Sequence, residues 1–417
     1  MNSPLSPSSS PQSSAGLTRR ELLQTLGLGG VAAGLSGSAF AASPKGGKIQ
    51  GFEEASVQDA SKGWEPISSR KVRVGLAGYG VCKFAAAFGF QDHPNVEIVA
   101  VTDLIPERCA ALAKAVRCGK TYPSVEEMVK DRNIEAIYVA TDAPSHARLC
   151  LEALKHGKDV ATAVPAVYGN LEEADLLLEA VKRSGRKYMM FETSAFHEAN
   201  HAMRQIYRAG GLGEIVYSEG QYIHYMPTPI DSYQGWRDGA IPMWYPTHAT
   251  AYPICVTSGS FTAVSCVGRP SALPSLRNGN NKYKNPFGTQ VALFRTSEGG
   301  MARILTTKDT PGFGSESGFV RGTLGSFVGS FAGADKDKGG AKNLPNLRRP
   351  PLPPGVRPGG HGGSHGYLMN EFITALLQDR QPLVHVAMSL NLTVPGIIAH
   401  QSALKDGEWL KVPQYRL

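Results

Sequence analysis

The sequence has little of what commits a chain to a specialised class. Its six cysteines, Cys82, Cys109, Cys118, Cys150, Cys255 and Cys266, form no Cys-x-x-Cys pair and show no metal-ligand spacing, which excludes a zinc ribbon and offers no disulfide framework. They read as small buried apolar residues. Charged residues make up only 19% of the chain, and the 43 Lys and Arg are scattered among 35 Asp and Glu. Without a basic run interleaved with aromatics, the formal charge of +8 describes a mildly basic surface and no nucleic-acid partner is expected. There is no internal repeat, and no apolar run that would span a bilayer in a mature protein. What is abundant is glycine and proline, 47 and 28 residues, beside 42% apolar side chains. That is a chain with a sizeable core and long irregular loops, and 417 residues suggest two domains plus extra segments.

The N-terminus reads as a targeting segment. Residues 1–17 are Ser- and Pro-rich and uncharged; Thr18-Arg19-Arg20-Glu21-Leu22-Leu23-Gln24 follows, then a mildly apolar run from Leu26 to Ala33 and a small-residue cleavage site at Ala39-Phe40-Ala41. This is the order of a twin-arginine signal over residues 1–42, and the expectation is export to the periplasm or beyond. The alternative is a chance Arg-Arg before an amphipathic segment. Twin-arginine export carries folded, cofactor-loaded proteins, and free NAD is scarce outside the cytoplasm, so a cofactor carried along would have to stay bound and be regenerated in place.

Residues 43–70 lack periodicity and read as a linker or arm. From Lys71 the pattern alternates: strand Val72 to Ala77, helix Cys82 to Gln91, strand Val96 to Thr102, helix Pro106 to Val116, strand Ile134 to Ala140, helix Ser145 to His156, strand Val160 to Val164, helix Leu171 to Ser184 and strand Lys187 to Glu192. Such alternation predicts an α/β Rossmann domain with a parallel sheet over 71–195. Beyond it come one helix, Ala199 to Ala209, and β-rich segments at Glu214–Ile223, Phe261–Val267, Thr289–Thr296 and Gly300–Thr306. These predict an α+β domain, 196–417, with a mostly antiparallel sheet for substrate binding and oligomerisation. Gly312 to Gly363 reads as Gly/Pro-rich loop, and helices Tyr367–Leu377 and Ala387–Leu404 close the domain.

Gly75-Leu-Ala-Gly78-Tyr-Gly80 after the first strand supplies a tight turn and a side-chain-free approach for a pyrophosphate. Asp103 ends the second strand, about 20 residues on, where a carboxylate receives the adenosine ribose and repels a 2′-phosphate, so the expected cofactor is NAD. Lys83 stands where the third glycine of the fingerprint would be; it either leans toward the pyrophosphate or is a solvated lysine.

Further along lie Thr141-Asp-Ala-Pro-Ser-His146, Gly157-Lys-Asp-Val160, Ala163-Val164-Pro165, Met189-Met190-Phe191-Glu192, Gly213-Glu214, Glu219-Gly-Gln-Tyr222-Ile-His224, Tyr245-Pro-Thr-His248 and His361-Gly-Gly363. From Lys71 to the C-terminus the chain resembles the glucose–fructose oxidoreductase, inositol dehydrogenase and MocA (Gfo/Idh/MocA) family. Within it, the chain is similar to the NAD-dependent α-N-acetylgalactosaminidase branch, glycoside hydrolase family 109. The resemblance implies a nicotinamide loop at Thr141 and His146 and a cofactor contact at Pro165. Most family dehydrogenases have Glu-Lys-Pro where this chain has Ala163-Val164-Pro165, so their lysine is missing, as is the Glu of the glycosidase branch.

The resemblance further implies a redox-neutral reaction: NAD takes a hydride from C3 of a sugar, the aglycone is eliminated across C2, water adds, and the hydride returns. Tyr245 and His248 suit the acid and base roles; on spacing alone His248 reads first as a packed loop histidine, and the Tyr-Pro-Thr-His match reverses that. Tyr222 and His224 alternate along a strand and share a face, and with Trp236, Arg237, His361 and His365 they are candidate sugar contacts. Glu219 is a further polar candidate. His361 and His365 raise a metal site with His224 or His248, but no carboxylate or cysteine is spaced to complete it and no metal is expected. The expected partners are a carbohydrate substrate and further copies of the chain as a homo-oligomer. Two other functions stay open, a net sugar or polyol dehydrogenase and a non-catalytic sugar-binding protein that retains NAD.

Overall fold

The computed structural model describes residues 55–274, 276–277, 281–333 and 344–417. The expected twin-arginine segment, 1–42, and the first part of the arm lie outside the described residues. The first sheet contains β1 (Val72–Ala77), β2 (Val96–Thr102), β3 (Thr121–Tyr122), β4 (Ala136–Val139), β5 (Asp159–Thr162) and β6 (Tyr188–Met190) in the order β3-β2-β1-β4-β5-β6. Every neighbouring pair is parallel. Covered on both faces, these strands read as near-continuous apolar runs; β4 is Ala-Ile-Tyr-Val and wholly buried.

The intervening helices are α1 (Phe84–Ala87), α2 (Pro106–Ala115), α3 (Val125–Met128), α4 (His146–Lys155) and α5 (Leu171–Ser184). In α5 the Asn170 side chain accepts from the Glu172 N–H, acids occupy the first turn, Lys182 and Arg183 the last, and Gly185 ends it in the left-handed region. Each feature answers an unpaired backbone group or the helix dipole. The expected helix from Cys82 to Gln91 is instead the single turn α1, a left-handed Gly89 and a separate turn at Phe90–Asp92. Gly89 removes the preference for continuing the helix, and the anion site at the loop therefore lacks a long helix dipole behind it.

The second half contains α6 (Glu198–Arg208), β7 (Ile215–Ile223), α7 (Thr247–Thr257), β8 (Phe261–Pro270), β9 (Phe287–Thr296), β10 (Met301–Thr307), β11 (Ser315–Gly322), β12 (Gly325–Val328), β13 (Ser330–Gly333), α8 (His365–Leu377), α9 (Val386–Ala403) and β14 (Leu410–Lys411). The second sheet runs β13-β12-β11-β7-β10-β9-β8-β14; β7 and β10 are parallel and the other pairs antiparallel. Part of the segment expected to be loop, Gly312 to Gly363, is therefore sheet. Helix α7 also lacked a sequence signal, because every residue from Thr247 to Val256 is buried and a helix buried all round has no amphipathic period. One continuous apolar core runs under both sheets. The Met190 N–H donates to the Val384 carbonyl, so the chain just before α9 extends the edge at β6. The described part of the arm is held by Ser56, which exchanges backbone bonds with Gly359, and by Ala60, whose carbonyl accepts from Leu352. Among the described residues no helix is long and apolar enough to cross a membrane.

Helix α7 lies on the inner face of the second sheet, and its fit depends on Gly220 of β7: a Cβ there would sit 1.9 Å from the Ala249 carbonyl oxygen. Gly220→Val is expected to destabilise the protein by about 3 kcal/mol or more, read as a fall in the denaturant midpoint. An unchanged midpoint would contradict this packing.

Candidate functional site

Strand order reverses between β1 and β4, and a crevice opens there at the C-terminal strand ends. It holds a cavity of about 340 Å³ lined by Gly78, Gly80, Lys83, Asp103, Thr141, His146, Ala163 and Val164 from the first sheet, and by Trp236, Arg237 and Tyr245 from the second half. The crevice is built for a dinucleotide. Gly78 has φ +94° and a Cβ on it would lie 2.3 Å from the Ala140 carbonyl oxygen, whereas a Cβ on Gly80 would meet nothing within 4 Å; the loop thus hugs the sheet at one glycine and leaves open space at the other. The Asp103 carboxylate accepts from the Tyr79 N–H at 2.6 Å and the Ile105 N–H at 2.8 Å, which fixes it at the cavity wall with lone pairs left for ribose hydroxyls. The Thr141 hydroxyl is buried without a partner among the described residues, as a group kept for a ligand would be.

Lys83 adopts a left-handed backbone, with φ 50° and ψ 30°, at a cost of about 1–2 kcal/mol. Its ammonium lies 5.8 Å from the centre of the Tyr79 ring, on the cavity wall. His146 lines the cavity and its Nδ1–H donates to the Pro165 carbonyl at 2.9 Å. Pro165 was expected to touch the cofactor; it is buried behind the wall and holds His146, while its neighbours Ala163 and Val164 face the cavity.

Where the two halves meet lies a buried proton network. Glu192, at the end of β6, accepts at one oxygen from His248 Nδ1 at 2.8 Å and from the Ser194 N–H at 2.9 Å. Its other oxygen is buried without a partner among the described residues. Glu316 of β11 lies 3.8 Å from the same His248 nitrogen and 3.7 Å from His197 Nε2, and accepts from the Ser194 hydroxyl at 3.2 Å. Burial opposes charge on His248, yet the two carboxylates outweigh it and lift its pKa to about 9. Burial alone would raise Glu316, but His248, His361 and His197 carry it down to about 2. His248 is therefore a cation at neutral pH, with Nδ1 committed to Glu192 and Nε2 left for another acceptor.

The ring of His248 packs 4.8 Å from Tyr222 and 5.6 Å from Tyr245, centre to centre, and 6.4 Å from His361. Tyr222 and His224 stack at 5.5 Å, as their shared face predicts, and line a smaller inner cavity with Trp236, Arg237, Tyr245 and Lys308. Burial pushes the Tyr245 phenol up, and the Arg237 charge draws it the other way. His361 Nδ1 donates to His365 Nε2 at 2.8 Å. His365 is buried, stacks on Phe88 and bonds the Ala87 carbonyl; burial drives its pKa to about 3. Expected as a sugar contact, it instead orients His361, because both its nitrogens are already engaged. Glu219 points away from the site, on the outer sheet face, where it pairs with Arg303.

Sequence reasoning quoted Glu192 without giving it a role and missed Glu316, His197 and Lys308. An acid at the C-terminal end of a parallel strand is a signal that could have found Glu192. All six cysteines are free, and among the described residues no group of three or more His, Cys, Asp and Glu is arranged to hold a metal.

Residues 72–192 match the family model described as an oxidoreductase family with an NAD-binding Rossmann fold, Gfo/Idh/MocA. A glycosyl hydrolase family 109 protein of Bacteroides fragilis is 30% identical over 162 residues, covering 37% of this chain and 35% of the relative. The match thus spans about a third of that curated relative. A glycosyl hydrolase family 109 protein of Streptomyces niveus is 25% identical over 396 residues, 82% of this chain and 77% of the relative. Among solved structures, levoglucosan dehydrogenase in complex with NADH and levoglucosan superposes with TM-score 0.68 at 19% identity, over 83% of this chain and all (100%) of that one. Myo-inositol 2-dehydrogenase from Lactobacillus plantarum gives 0.62 at 17% identity, over 82% and 100%. These structures share the fold.

The network gives a pH signature. His248 is raised above the ordinary 6.5 to about 9, so its contribution to stability is complete below about pH 6.5 and is lost as pH rises through 9. Glu316, lowered from 4.5 to about 2, contributes fully above about pH 4.5 and its share is lost as pH falls toward 2. In Glu192→Gln the His248 titration, followed by NMR of the imidazole protons, is expected to move down to pH 7 or below, with the alkaline loss of thermal stability moving with it. An unmoved titration would show that the ion pair does not hold the proton.

Proposed function

We propose that this chain, whose residues 72–192 match the Gfo/Idh/MocA oxidoreductase model, is an exported enzyme that retains NAD and cleaves a glycoside without net oxidation. The observation that carries this reading is the His248 cation held between Glu192 and Glu316 beside Tyr245. Net oxidation of an alcohol needs one group to take the hydroxyl proton, and a histidine fixed as a cation is a poor one. Glycoside elimination needs in addition a group that gives a proton to the leaving oxygen, and His248 Nε2–H supplies it. Bound NAD would supply the hydride acceptor at C3 and, once the C3 ketone has made C2–H acidic and the aglycone has left, the hydride donor that restores the sugar.

The chain's own residues carry the protons. Tyr245, on the wall of both cavities, takes the C3 hydroxyl proton, with the Arg237 charge lowering the cost of the phenolate. Having passed that proton to solvent, Tyr245 takes the C2 proton and returns a solvent-exchanged one to C2 when water adds, while His248 protonates the departing oxygen and recovers its proton from the same water. Glu192 and Glu316 keep His248 charged, and His365 holds His361 in place at the edge of the network. The named activity of the family 109 relatives and the absence of the dehydrogenase lysine at Val164 support cleavage. The Arg19-Arg20 segment supports export by the twin-arginine route and retention of the cofactor.

With aryl glycosides and the protein as purified with its NAD, phenol release without stoichiometric NADH is expected, accompanied by solvent deuterium at C2 of the product. Stoichiometric NADH without phenol would favour a net sugar or polyol dehydrogenase, and a nicotinamide spectrum that no sugar perturbs would favour a binding protein. His248→Asn is expected to reduce phenol release by about 100-fold or more.

The outer face of the second sheet supports a homo-oligomer. Val267, Val291 and Leu305 lie side by side across three strands there, flanked by Leu293 and Met301, which are 42% and 43% exposed. Sedimentation is expected to give a dimer or larger assembly, shifted to monomer by Leu293→Glu; a wild-type monomer would overturn the assignment.

A further inference from the structure

The inner end of the crevice holds two basic side chains and, among the described residues, no acid to match them. Arg237 lines both cavities. Its guanidinium stacks on Trp236, 4.1 Å from the ring centre, and its side-chain hydrogen bond is a long one of 3.9 Å to Cys82 Sγ. Lys308, one residue past β10, is buried, and its ammonium donates to the Ala240 carbonyl. Neither side chain has a carboxylate within ion-pair distance among the described residues. Burial and then the Arg237 charge press the Lys308 pKa down to about 7.

A buried ammonium beside a guanidinium, with one carbonyl for a partner, is an expensive arrangement for a chain to keep. Hydroxyl groups of a neutral sugar do not require it, since neutral donors and acceptors serve them. A negative group placed between the two would relieve the repulsion and gain charge-assisted hydrogen bonds. The cofactor pyrophosphate does not account for Lys308: the phosphate loop, Gly78 to Lys83, lines the larger cavity, and none of its residues lines the inner one, which Lys308 shares with Tyr222, His224 and Tyr245.

We propose that Arg237 and Lys308 form an anion subsite beside Tyr245, and that the substrate is a glycoside whose sugar carries a negative group, either a carboxylate or a sulfate ester. This rests on the glycoside reading above for the kind of ligand, and on the two cations for its charge.

The test is binding to NAD-loaded protein, by calorimetry, of glucose and galactose, the corresponding uronic acids and the 6-sulfates. At least one anionic sugar is expected to bind about tenfold or more tightly than its neutral parent, and which one does so separates carboxylate from sulfate. The advantage is expected to vanish in Lys308→Met and in Arg237→Gln, the latter at a half-buried position. Equal affinity for neutral and anionic sugars, no binding of any of them, or a full preference retained in Lys308→Met would each overturn the subsite. So would loss of NAD without loss of the preference in Arg237→Gln, which would assign that side chain to the pyrophosphate. Phenol release from aryl glycosides with no charge preference sinks the subsite and leaves the cleavage reading standing; charge-selective binding with no phenol release does the reverse.

Discussion

The ion pair between Glu192 and His248 is the constraint around which the two halves of the molecule are joined. Glu192 ends the last strand of the parallel sheet, His248 sits in the first turn of a helix buried all round, and Glu316 reaches the same imidazole from a strand of the second sheet. Carboxylates removed from water are tolerated only when paired, so three elements distant in sequence must meet within hydrogen-bond reach. The partners are further pinned by Thr193 and Ser194, whose hydroxyls and backbone bond His248, Glu316 and one oxygen of Glu192. The result is an imidazolium whose charge, orientation and free nitrogen are all fixed by the protein.

Against this fixed cation the rest of the site arranges itself by degrees of burial. Tyr245 and Tyr222 crowd the imidazole with aromatic surface, and His197 and His365 are driven neutral by desolvation although acids lie close by. His248 carries charge while His197 and His365 do not, because Nδ1 of His248 lies 2.8 Å from a wholly buried carboxylate. Distance to Glu192, more than residue type, divides the acid of the site from its scaffolding.

Much of this was legible in the sequence, and what was not has identifiable causes. The parallel strands announced themselves by continuous apolar runs, and Gly78, Gly80 and Asp103 by their order along strand, loop and strand. Tyr245 and His248 stood out through a short motif. Helix α7 gave no amphipathic signal because both of its faces are covered, and β11 was hidden in a Gly- and Ser-rich segment whose inward positions include Glu316. That carboxylate gains its meaning only from the register that places it opposite Tyr222. Lys308 was similarly silent, since a lysine after a strand is ordinarily solvated and only the tertiary fold buries it. His365 was misjudged because spacing cannot tell a ligand contact from the residue behind it.

The bond exchange between Ser56 and Gly359 has a consequence for how the molecule is made. It joins the beginning of the described chain to a loop two residues before His361, and the Met190–Val384 contact closes a second long circuit. Both are contacts of very high sequence separation, whose closure entropy must be met before they return any stability. On a ribosome, the arm and the edge of the first sheet would therefore wait for the final third of the polypeptide, and a chain released early would lack His361, its support and the Gly359 backbone that holds Ser56. Completeness of synthesis is thus written into the geometry of the crevice itself.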